Sequence, residues 1–467
     1  MNLPNYFIAD LPPEATLSPA MLAEACQTLK RNRERYLASR SNEQLVRLLV
    51  EVADNWRKSD NSLRKLALEN GPAETGFSAE TLRRGMDQFF REITRENLHT
   101  LLVQDLGENS CHVSHDAWHD SRHSPRAARH FWRGPEFLVH IAAGNIPNPT
   151  WMSMILGFLT RSAQFVKCAT GSAFLPRLFA HSIYEADPKL GACLELAEWP
   201  GGNADLENVL FGEADCVTVT GSDETLASIR LRLPLHARFL GYGHRVSFGF
   251  VSGKMLSHSR AQRIAADVTA DVVAWNQLGC LSPHVIYIQP GGEVAPDRFS
   301  GMLAEELERR KQIEPRGELP AAHAAAIASR RGIYEVRAAH SPETLMWHSN
   351  QSTAWTVVFE ADPRFQLSCL NRFVYVKPVK DVTEMLQQAE VVRGKVSTVG
   401  LAAPEDQLED LALQLARWGV PRICPLGQMQ NPPLTWRHDG RPALGDLVTW
   451  TDWEMHQSLV RGLTTDY

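Results

Sequence analysis

The chain has 467 residues, which suits about three lobes of roughly 150 residues each. Hydrophobic residues make up 44% of it and charged residues 22%, proportions that are typical of a globular protein and exclude a disordered chain. The 48 basic and 54 acidic side chains leave a net charge of −6, which argues against a nucleic-acid binder because such a protein needs a concentrated basic face.

The cysteines and the start of the chain indicate a cytoplasmic protein. Eight cysteines lie along a long chain without paired spacing, so a reducing compartment is expected rather than a disulfide framework. Residues 1–20 lack a cationic segment followed by an apolar core, and therefore do not resemble a secretion signal. The most apolar stretch, 137–160, contains Asn145, Pro147, Asn148 and Pro149, so no membrane span is predicted.

The first hundred residues predict helices and contain no catalytic motif. Two sets of apolar residues recur there at helical spacing: Leu45, Leu49, Val52 and Trp56, and then Leu82, Met86, Phe89 and Phe90. A histidine-rich segment follows, with His112, His115, His119, His123 and His130. The spacing of the middle three would suit zinc on a continuous helix, but Pro125 interrupts the segment and no cysteine or glutamate completes a ligand set. We therefore favour a solvated polar loop and predict no metal site.

From residue 137 onward, short apolar strands alternate with helical stretches, which predicts a parallel sheet covered by helices. The predicted strands of this first part are 137–142, 163–168, 214–219 and 246–250. A second set of elements follows, with helices at 261–275, 298–312, 381–391 and around 408–415, and strands at 284–288 and 373–379. Asp381 with Glu384 resembles a capping box, and Gly419 predicts the end of the last helix.

Asn145 lies in the turn 143–149, directly after the first predicted strand of the sheet. Turns in this position bind ligands in open α/β sheets, and an asparagine fixed there can donate a hydrogen bond to a developing oxyanion. On this segment alone, an asparagine that caps the following helix is the simpler interpretation.

Two further turns are candidate nucleotide contacts. Lys167 lies at the end of a buried strand and is followed by Thr170, so this turn can meet a ribose or a phosphate. Gly221 and Ser222 follow another strand and can present backbone amides to a pyrophosphate. Neither strand leads into a Gly-x-Gly-x-x-Gly sequence, and each turn is on its own equally typical of an ordinary connection.

Cys280 lies where a long predicted helix gives way, through Gly279, to a loop. A thiol in such a loop can be exposed, with backbone amides nearby to stabilise an attacked carbonyl, and a small core residue is the alternative. His284 is close in sequence, but proximity in sequence does not establish a catalytic dyad. The tail 424–440 is dense in turn formers and predicts an ordered loop, in which Arg437 and His438 contact a phosphate or make structural hydrogen bonds.

Taken in order, these motifs resemble the aldehyde dehydrogenase superfamily, in the acyl-CoA reductase branch that includes the fatty-acid reductase of bacterial bioluminescence. The resemblance runs from about residue 137 to residue 454, and three segments carry it: 144–147, 277–283 and the tail 426–440. It implies an α/β, aldehyde-dehydrogenase-like fold with four parts. These are a helical N-terminal region (1–130), a Rossmann-type cofactor domain (131–243), a catalytic domain (244–426) and a C-terminal segment (427–467) that packs on another lobe or subunit.

The resemblance also implies roles for particular residues. Cys280 matches the family's nucleophile, and Asn145 matches the side-chain half of the oxyanion hole, with the Cys280 backbone amide as the other half. Lys167 matches the lysine that contacts the cofactor ribose. Gly221 and Ser222 match the turn near the cofactor pyrophosphate.

Two single positions and two segments depart from the family pattern. Leu226 replaces a second glycine of the phosphate turn, and the segment 371–373 replaces a Glu-x-Phe-Gly-Pro sequence, which leaves ribose contacts there unassigned. The segment 240–245 has no carboxylate where hydrolytic members carry a glutamate base, so water is poorly activated against a thioester. Thr170 stands three positions after Lys167, where members that prefer NAD carry a glutamate. This predicts NADPH in preference to NADH, unless Thr170 merely caps the next helix and selectivity is set elsewhere.

The function that the resemblance implies is reduction of a fatty acyl thioester to the aldehyde, through an S-acyl intermediate on Cys280. The expected donor is acyl-CoA or an acyl-protein, supplied in the latter case by an acyl-transferring partner enzyme, and the expected assembly is a homo-oligomer. Two alternatives stay open at this point. One is a cysteine-dependent acyltransferase or thioesterase that needs no nucleotide, and the other is a non-catalytic scaffold subunit.

Overall fold

Helices make up most of the first 106 residues of the protein. The computed structural model describes residues 3–12, 14–108, 110–113 and 130–452. The helices of this region are α1 Pro19–Tyr36, α2 Asn42–Arg57, α3 Ser62–Thr75, α4 Ala79–Glu92 and α5 Arg95–Leu106. Each begins after a polar side chain that accepts a hydrogen bond from its first turn, namely Ser18, Ser41, Asn61, Ser78 and Thr94. The two predicted apolar sets lie on α2 and α4, and all of their members except the partly buried Phe89 are buried in one core.

A parallel sheet follows the helices. Two short strands come first, β1 Ser110–His112 and β2 His130–Arg133. The strands of the sheet are β3 Phe137–Ile141, β4 Ala163–Cys168, β5 Leu194–Glu198, β6 Cys216–Thr220 and β7 Arg238–Tyr242. The helices of this part are α6 Asn148–Leu159, α7 Phe174–Ala186, α8 Pro188–Gly191, α9 Ala204–Glu213 and α10 Asp223–Arg232. The strand order is β5-β4-β3-β6-β7, so the turns after β3 and β6 flank the crevice in which open α/β sheets bind ligands.

A second, larger sheet occupies the next part of the chain. Its strands are β8 Val246–Val251, β9 Pro283–Ile288, β10 Thr344–His348, β11 Thr356–Glu360, β12 Phe373–Pro378, β13 Val396–Ala402 and β14 Ile423–Pro425. The helices here are α11 His258–Val273, α12 Pro296–Ile313, α13 Ala321–His340, α14 Val382–Gln388 and α15 Glu405–Trp418. The strand order is β10-β11-β12-β9-β8-β13-β14, and β10 is antiparallel to its neighbour. A last strand, β15 Thr449–Asp452, pairs with β2.

The elements predicted from the sequence agree with the structure in type, and the strands agree within two residues at each end. The helix predicted at 261–275 is wrong at its end, because α11 stops at Val273 and the chain turns sharply before Cys280. The predicted helix 381–391 also stops early, at Gln388. Asp381 caps it as expected, whereas the Glu384 carboxylate accepts from the Lys380 amide, one residue before the cap.

One hydrophobic core connects the N-terminal helices with the first sheet. It joins α2 and α4 to α6 and α7, and it extends to Trp275 in the turn before Cys280. A Cβ atom on Gly85 of α4 would lie 2.0 Å from the Trp275 ring, so only glycine allows this close approach. The first sheet spans residues 137–242 and the second 246–425, while the domain boundaries given above stay predictions. Within the described ranges, no helix is long and apolar enough to cross a membrane.

Candidate active site

Cys280 lies in the loop between α11 and β9, where the residue is half-buried. The pKa of this thiol is raised to about 11, chiefly because the thiol is removed from water and in smaller part by the nearby Asp439 carboxylate. The Ser397 hydroxyl and the Arg245 guanidinium act in the opposite direction. Ser247 donates a hydrogen bond from Oγ to the Cys280 carbonyl oxygen over 2.7 Å, which fixes the backbone of the loop. Since the thiolate is the nucleophile, the reactivity of Cys280 at neutral pH depends on the balance between the charges of Asp439 and Arg245.

The structure brings Asn145 to the same loop. Its Nδ2 atom donates to the carbonyl oxygen of Leu278 over 2.8 Å, two residues before Cys280. Helix α6 has Pro147 as its N-cap and no side-chain cap, so the interpretation of Asn145 as a helix cap is wrong. The amide group has two N–H bonds, and one remains for a ligand. A cavity of about 540 Å³ opens beside Asn145, Ile146 and Leu278.

Lys167 and Thr170 lie at the carboxyl end of β4, where the sequence placed a ribose contact. The side chain of Lys167 is almost fully buried, and its Nζ atom lies 5.8 Å from the centre of the Trp199 ring. Burial lowers the pKa of this ammonium group, while neighbouring acidic groups oppose the effect. Thr170 is exposed in the turn, and α7 has Ala173 as its N-cap, so Thr170 does not cap the helix.

Sequence reasoning missed a carboxylate at this turn, that of Glu198. Glu198 ends β5 and pairs with Cys168 across the sheet. Its carboxylate accepts hydrogen bonds from the backbone amides of Gly171 over 2.7 Å and Ala173 over 3.2 Å. Backbone amides at a helix start are an anion site, and here a side chain of the protein occupies it. Only the strand pairing reveals this neighbour, because 30 residues separate Cys168 from Glu198 along the chain.

Gly221 and Ser222 form the start of α10, beside the crevice between β3 and β6. Ser222 is the N-cap of the helix and accepts a hydrogen bond from the amide of Thr225 over 3.2 Å. The amide of Gly221 donates to the carbonyl oxygen of Tyr242 at the end of β7. The turn is therefore a well-formed helix start, and its geometry fits both interpretations given above, an ordinary connection and an anion site.

The tail forms an ordered loop against the site, as predicted. The ring of His438 stacks between those of Tyr242 and Trp436, with centroid distances of 4.8 and 4.7 Å. The next residue, Asp439, pairs with Arg245 over 3.1 Å. His438 thus has a structural role here, and the tail places the Asp439 carboxylate near the Cys280 thiol. Both charged residues lay within segments that the sequence singled out, but their pairing depends on the fold.

Hydrogen bonds hold this tail against the loop of Cys280. The buried carboxylate of Asp271 on α11 accepts from the amides of Gly427 over 2.6 Å and Met429 over 2.9 Å. Gln430 donates from Nε2 to the Ser282 hydroxyl over 2.6 Å. These hydrogen bonds connect the tail with the loop, so a substitution in one is expected to affect the position of the other.

The histidines do not assemble into a site that the structure describes. His115, His119 and His123 lie outside the described residues, and no group of three or more metal-binding side chains occurs among those that are described. His284 is buried, which lowers its pKa to about 4, and its Nδ1 atom accepts from the amide of Ser368 over 3.1 Å. These contacts do not link His284 to Cys280.

The fold is that of the aldehyde dehydrogenases. The chain is similar to the bifunctional proline utilization A protein, with a TM-score of 0.69 and 16% identity, covering 94% of this chain and 45% of that one. It therefore spans less than half of that longer protein. It is also similar to the Delta-pyrroline-5-carboxylate dehydrogenase from Mycobacterium tuberculosis, with a TM-score of 0.65 and 12% identity over 95% of this chain and 84% of that one.

The family follows from the sequence match. The model of the LuxC acyl-CoA reductase family matches residues 37–450, and the chain belongs to this family. The chain is 24% identical over 421 residues to the long-chain acyl-protein thioester reductase of Aliivibrio fischeri, covering 88% of this chain and 82% of the relative. The corresponding protein of Vibrio harveyi is 22% identical over 428 residues, covering 90% and 84%. The resemblance drawn from the motifs is confirmed, and the protein is an oxidoreductase of the acyl reductase type.

Proposed function

We propose that the protein reduces a fatty acyl thioester to the aldehyde with NADPH, through an S-acyl intermediate on Cys280. The observation that carries this proposal is the hydrogen bond from Asn145 to the carbonyl of Leu278, because it brings an oxyanion donor and a candidate nucleophile into one loop. Family membership and the relatives named as acyl-protein thioester reductases support the substrate class.

In the first step, the Cys280 thiolate attacks the carbonyl carbon of the acyl donor. A bond forms between Sγ and that carbon, and the bond to the donor's sulfur breaks, so that the donor leaves as a thiol after taking up a proton. The free N–H of Asn145 and the backbone N–H of Cys280 stabilise the negative charge that develops on the carbonyl oxygen.

The second step needs a hydride at the thioester carbon, and a nicotinamide cofactor would supply it when bound. Lys167 and Thr170 would hold its adenine ribose, and Gly221 with Ser222 would hold its pyrophosphate at the start of α10. The amides at the α10 start and the cationic Lys167 fit such an anionic group. After reduction, Asn145 again stabilises the oxygen, and collapse of the tetrahedral adduct releases the aldehyde and the Cys280 thiolate.

Preference for NADPH rests on the neutral side chain of Thr170 next to Lys167, since a hydroxyl does not repel a 2′-phosphate. The carboxylate of Glu198 works against that preference, although its charge is partly balanced by the two amides that it binds. We therefore expect NADPH to be favoured by Thr170, with Glu198 limiting the size of the preference.

The donor that we propose is acyl-CoA or an acyl-protein. The relatives in Aliivibrio fischeri and Vibrio harveyi are named for reduction of a long-chain acyl-protein thioester, which favours a donor presented by an acyl-transferring partner enzyme. Assembly of this chain into a homo-oligomer is part of the same proposal.

The proposal is tested by labelling the protein with a radioactive acyl-CoA without reductant and mapping the modified peptide. We expect label on Cys280, its release as aldehyde when NADPH is added, and loss of both in Cys280→Ala. Cys369→Ala is the matched control, because Cys369 is also a half-buried free cysteine. Label on another cysteine, or release as free acid, would contradict the proposed mechanism.

A further inference from the structure

Two runs of three residues near Cys280 have left-handed backbone conformations. One run is 275–277, with φ angles of 49°, 52° and 64°, and the other is 370–372, with φ angles of 55°, 54° and 68°. None of the six residues is glycine, and the left-handed region costs other residues about 1–2 kcal/mol each. Such strain persists only where surrounding contacts over-determine the conformation.

Hydrogen bonds connect the two runs. The guanidinium of Arg372 donates to Oδ1 of Asn276 from Nε over 3.2 Å and from Nη2 over 2.9 Å. Gln277 accepts from the amide of Phe373 over 2.8 Å and donates to its carbonyl oxygen over 2.9 Å. Arg372 and Gln277 are 1% and 0% exposed, so these contacts are shielded from water and strong.

The same residues also bind the backbone beyond α12. Arg372 donates from Nη1 to the carbonyl oxygen of Glu314 over 2.7 Å, and Asn276 donates from Nδ2 to that of Arg316 over 2.8 Å. Burial lowers the pKa of the Arg372 guanidinium to about 10. Arg372 therefore donates its N–H groups to other parts of the protein, and it lies in the segment that replaces the family's Glu-x-Phe-Gly-Pro sequence.

The position of the interlocked runs relates them to the candidate nucleophile. Asn276 lies four residues before Cys280, and Leu278, whose carbonyl binds Asn145, lies between them. The path of the chain from Asn276 thus sets the placement of the Cys280 thiol and amide relative to Asn145. A small error in such a placement is costly, since a displacement of about 1 Å can lower a rate 10²-fold.

We propose that Arg372 and Asn276 are positioning residues, which hold the loop so that the Cys280 thiol and amide align with Asn145. This inference rests on the proposed role of Cys280 as the acylated residue. It assigns to the segment 371–373 a function in placing the nucleophile.

The test compares Arg372→Lys and Asn276→Gly with Arg331→Lys. Lysine keeps the charge of Arg372 but not its pair of donors, and glycine tolerates the left-handed conformation of residue 276 while removing the acceptor. Arg331 is a matched control, because it is also a buried arginine that binds backbone carbonyls, those of Ser352 and Trp355. Each variant is assayed for kcat, for KM of the acyl-CoA, for the rate of Cys280 alkylation by iodoacetamide and for its thermal midpoint.

We expect both test variants to lose about 10- to 100-fold in kcat, with KM within about twofold, and to change the alkylation rate of Cys280. Arg331→Lys is expected to keep wild-type kinetics even where its thermal midpoint falls. Wild-type kcat and alkylation in a folded Asn276→Gly protein would overturn the proposal, and so would equal kinetic losses in Arg331→Lys. The alkylation assay needs no acyl donor, so it decides the question even if the wild-type enzyme is not acylated on Cys280, an outcome that would contradict the proposed function alone.

Discussion

Replacement of Asp439 by asparagine is expected to make the Cys280 thiol more reactive. The carboxylate of Asp439 disfavours the thiolate, and it also occupies Arg245, which favours the thiolate. Asparagine has nearly the same shape and tolerates the left-handed φ of 54° at this position. The substitution removes a negative charge and frees a positive one, so both effects lower the pKa of Cys280 from its value of about 11.

The size of the effect follows from the charges involved. A single nearby charge typically shifts a pKa by about one unit or more. At a pH well below the pKa of the thiol, lowering that pKa by one unit raises the thiolate fraction about tenfold. A less basic thiolate is also a weaker nucleophile, which cancels about threefold of the gain. The net expectation is an alkylation rate about threefold higher at neutral pH, with the midpoint of the pH profile lower by about one unit.

The assay follows alkylation of Cys280 by iodoacetamide between about pH 6 and pH 12, with the modified peptide quantified by mass spectrometry. Asp446→Asn is the matched control, because Asp446 pairs with Arg441 in the same tail over 3.0 Å but does not act on the thiol. A midpoint in Asp439→Asn that is unchanged or higher than in the wild type would refute the electrostatic reasoning.

Four further substitutions have expected outcomes. Asn145→Ala is expected to lower kcat about 10²- to 10³-fold with little change in KM, because an oxyanion donor acts in the transition state, and steady-state kinetics would check this. Thr170→Glu is expected to shift the ratio of NADPH to NADH rates toward NADH, and Glu198→Gln to shift it toward NADPH, since one change adds a negative charge at the turn and the other removes it. Gly85→Ala is expected to lower the free energy of unfolding by about 1–3 kcal/mol in urea titrations, because the new methyl group meets the Trp275 ring.

Each of these has a result that would count against it. Unchanged turnover in Asn145→Ala would mean that Asn145 is not an oxyanion donor and only forms the hydrogen bond to Leu278. A cofactor ratio that responds to neither Thr170→Glu nor Glu198→Gln would place selectivity elsewhere. Wild-type stability in Gly85→Ala would mean that α4 moves away from the turn at little cost, and Gly212→Ala, at a helical glycine with open space around it, is the control.

The strands were predictable from the sequence because burial on both faces of a parallel sheet requires continuous apolar runs. β3 and β4 are fully buried at every position, and runs of this kind were found to within two residues. The end of α11 was not predictable in the same way. Trp275 and Gln277 carry no helix-breaking signal, and the helix stops because contacts distant in sequence hold these residues in a left-handed conformation.

The residues of the candidate site that lie in a recognisable motif were predictable from the sequence, whereas those that only the fold brings together were not. Cys280 and Asn145 were found because each lies in a recognisable turn, and the hydrogen bond from Asn145 to Leu278 brings the two turns together. Glu198 and Arg372 were missed, since each acts on residues that only strand pairing or a long-range contact places beside it. A single sequence contains no signal for such pairs.

The burial of Cys280 bears on the choice between reduction and hydrolysis. A thiol with a raised pKa is slow to form a thiolate, which is a cost for acylation. The stretch from Leu240 to Arg245 offers no carboxylate to activate a water molecule against an acyl group attached to the thiol. For the proposed mechanism, we therefore infer that acylation is slow and that the acyl-enzyme persists long enough to react with a hydride donor.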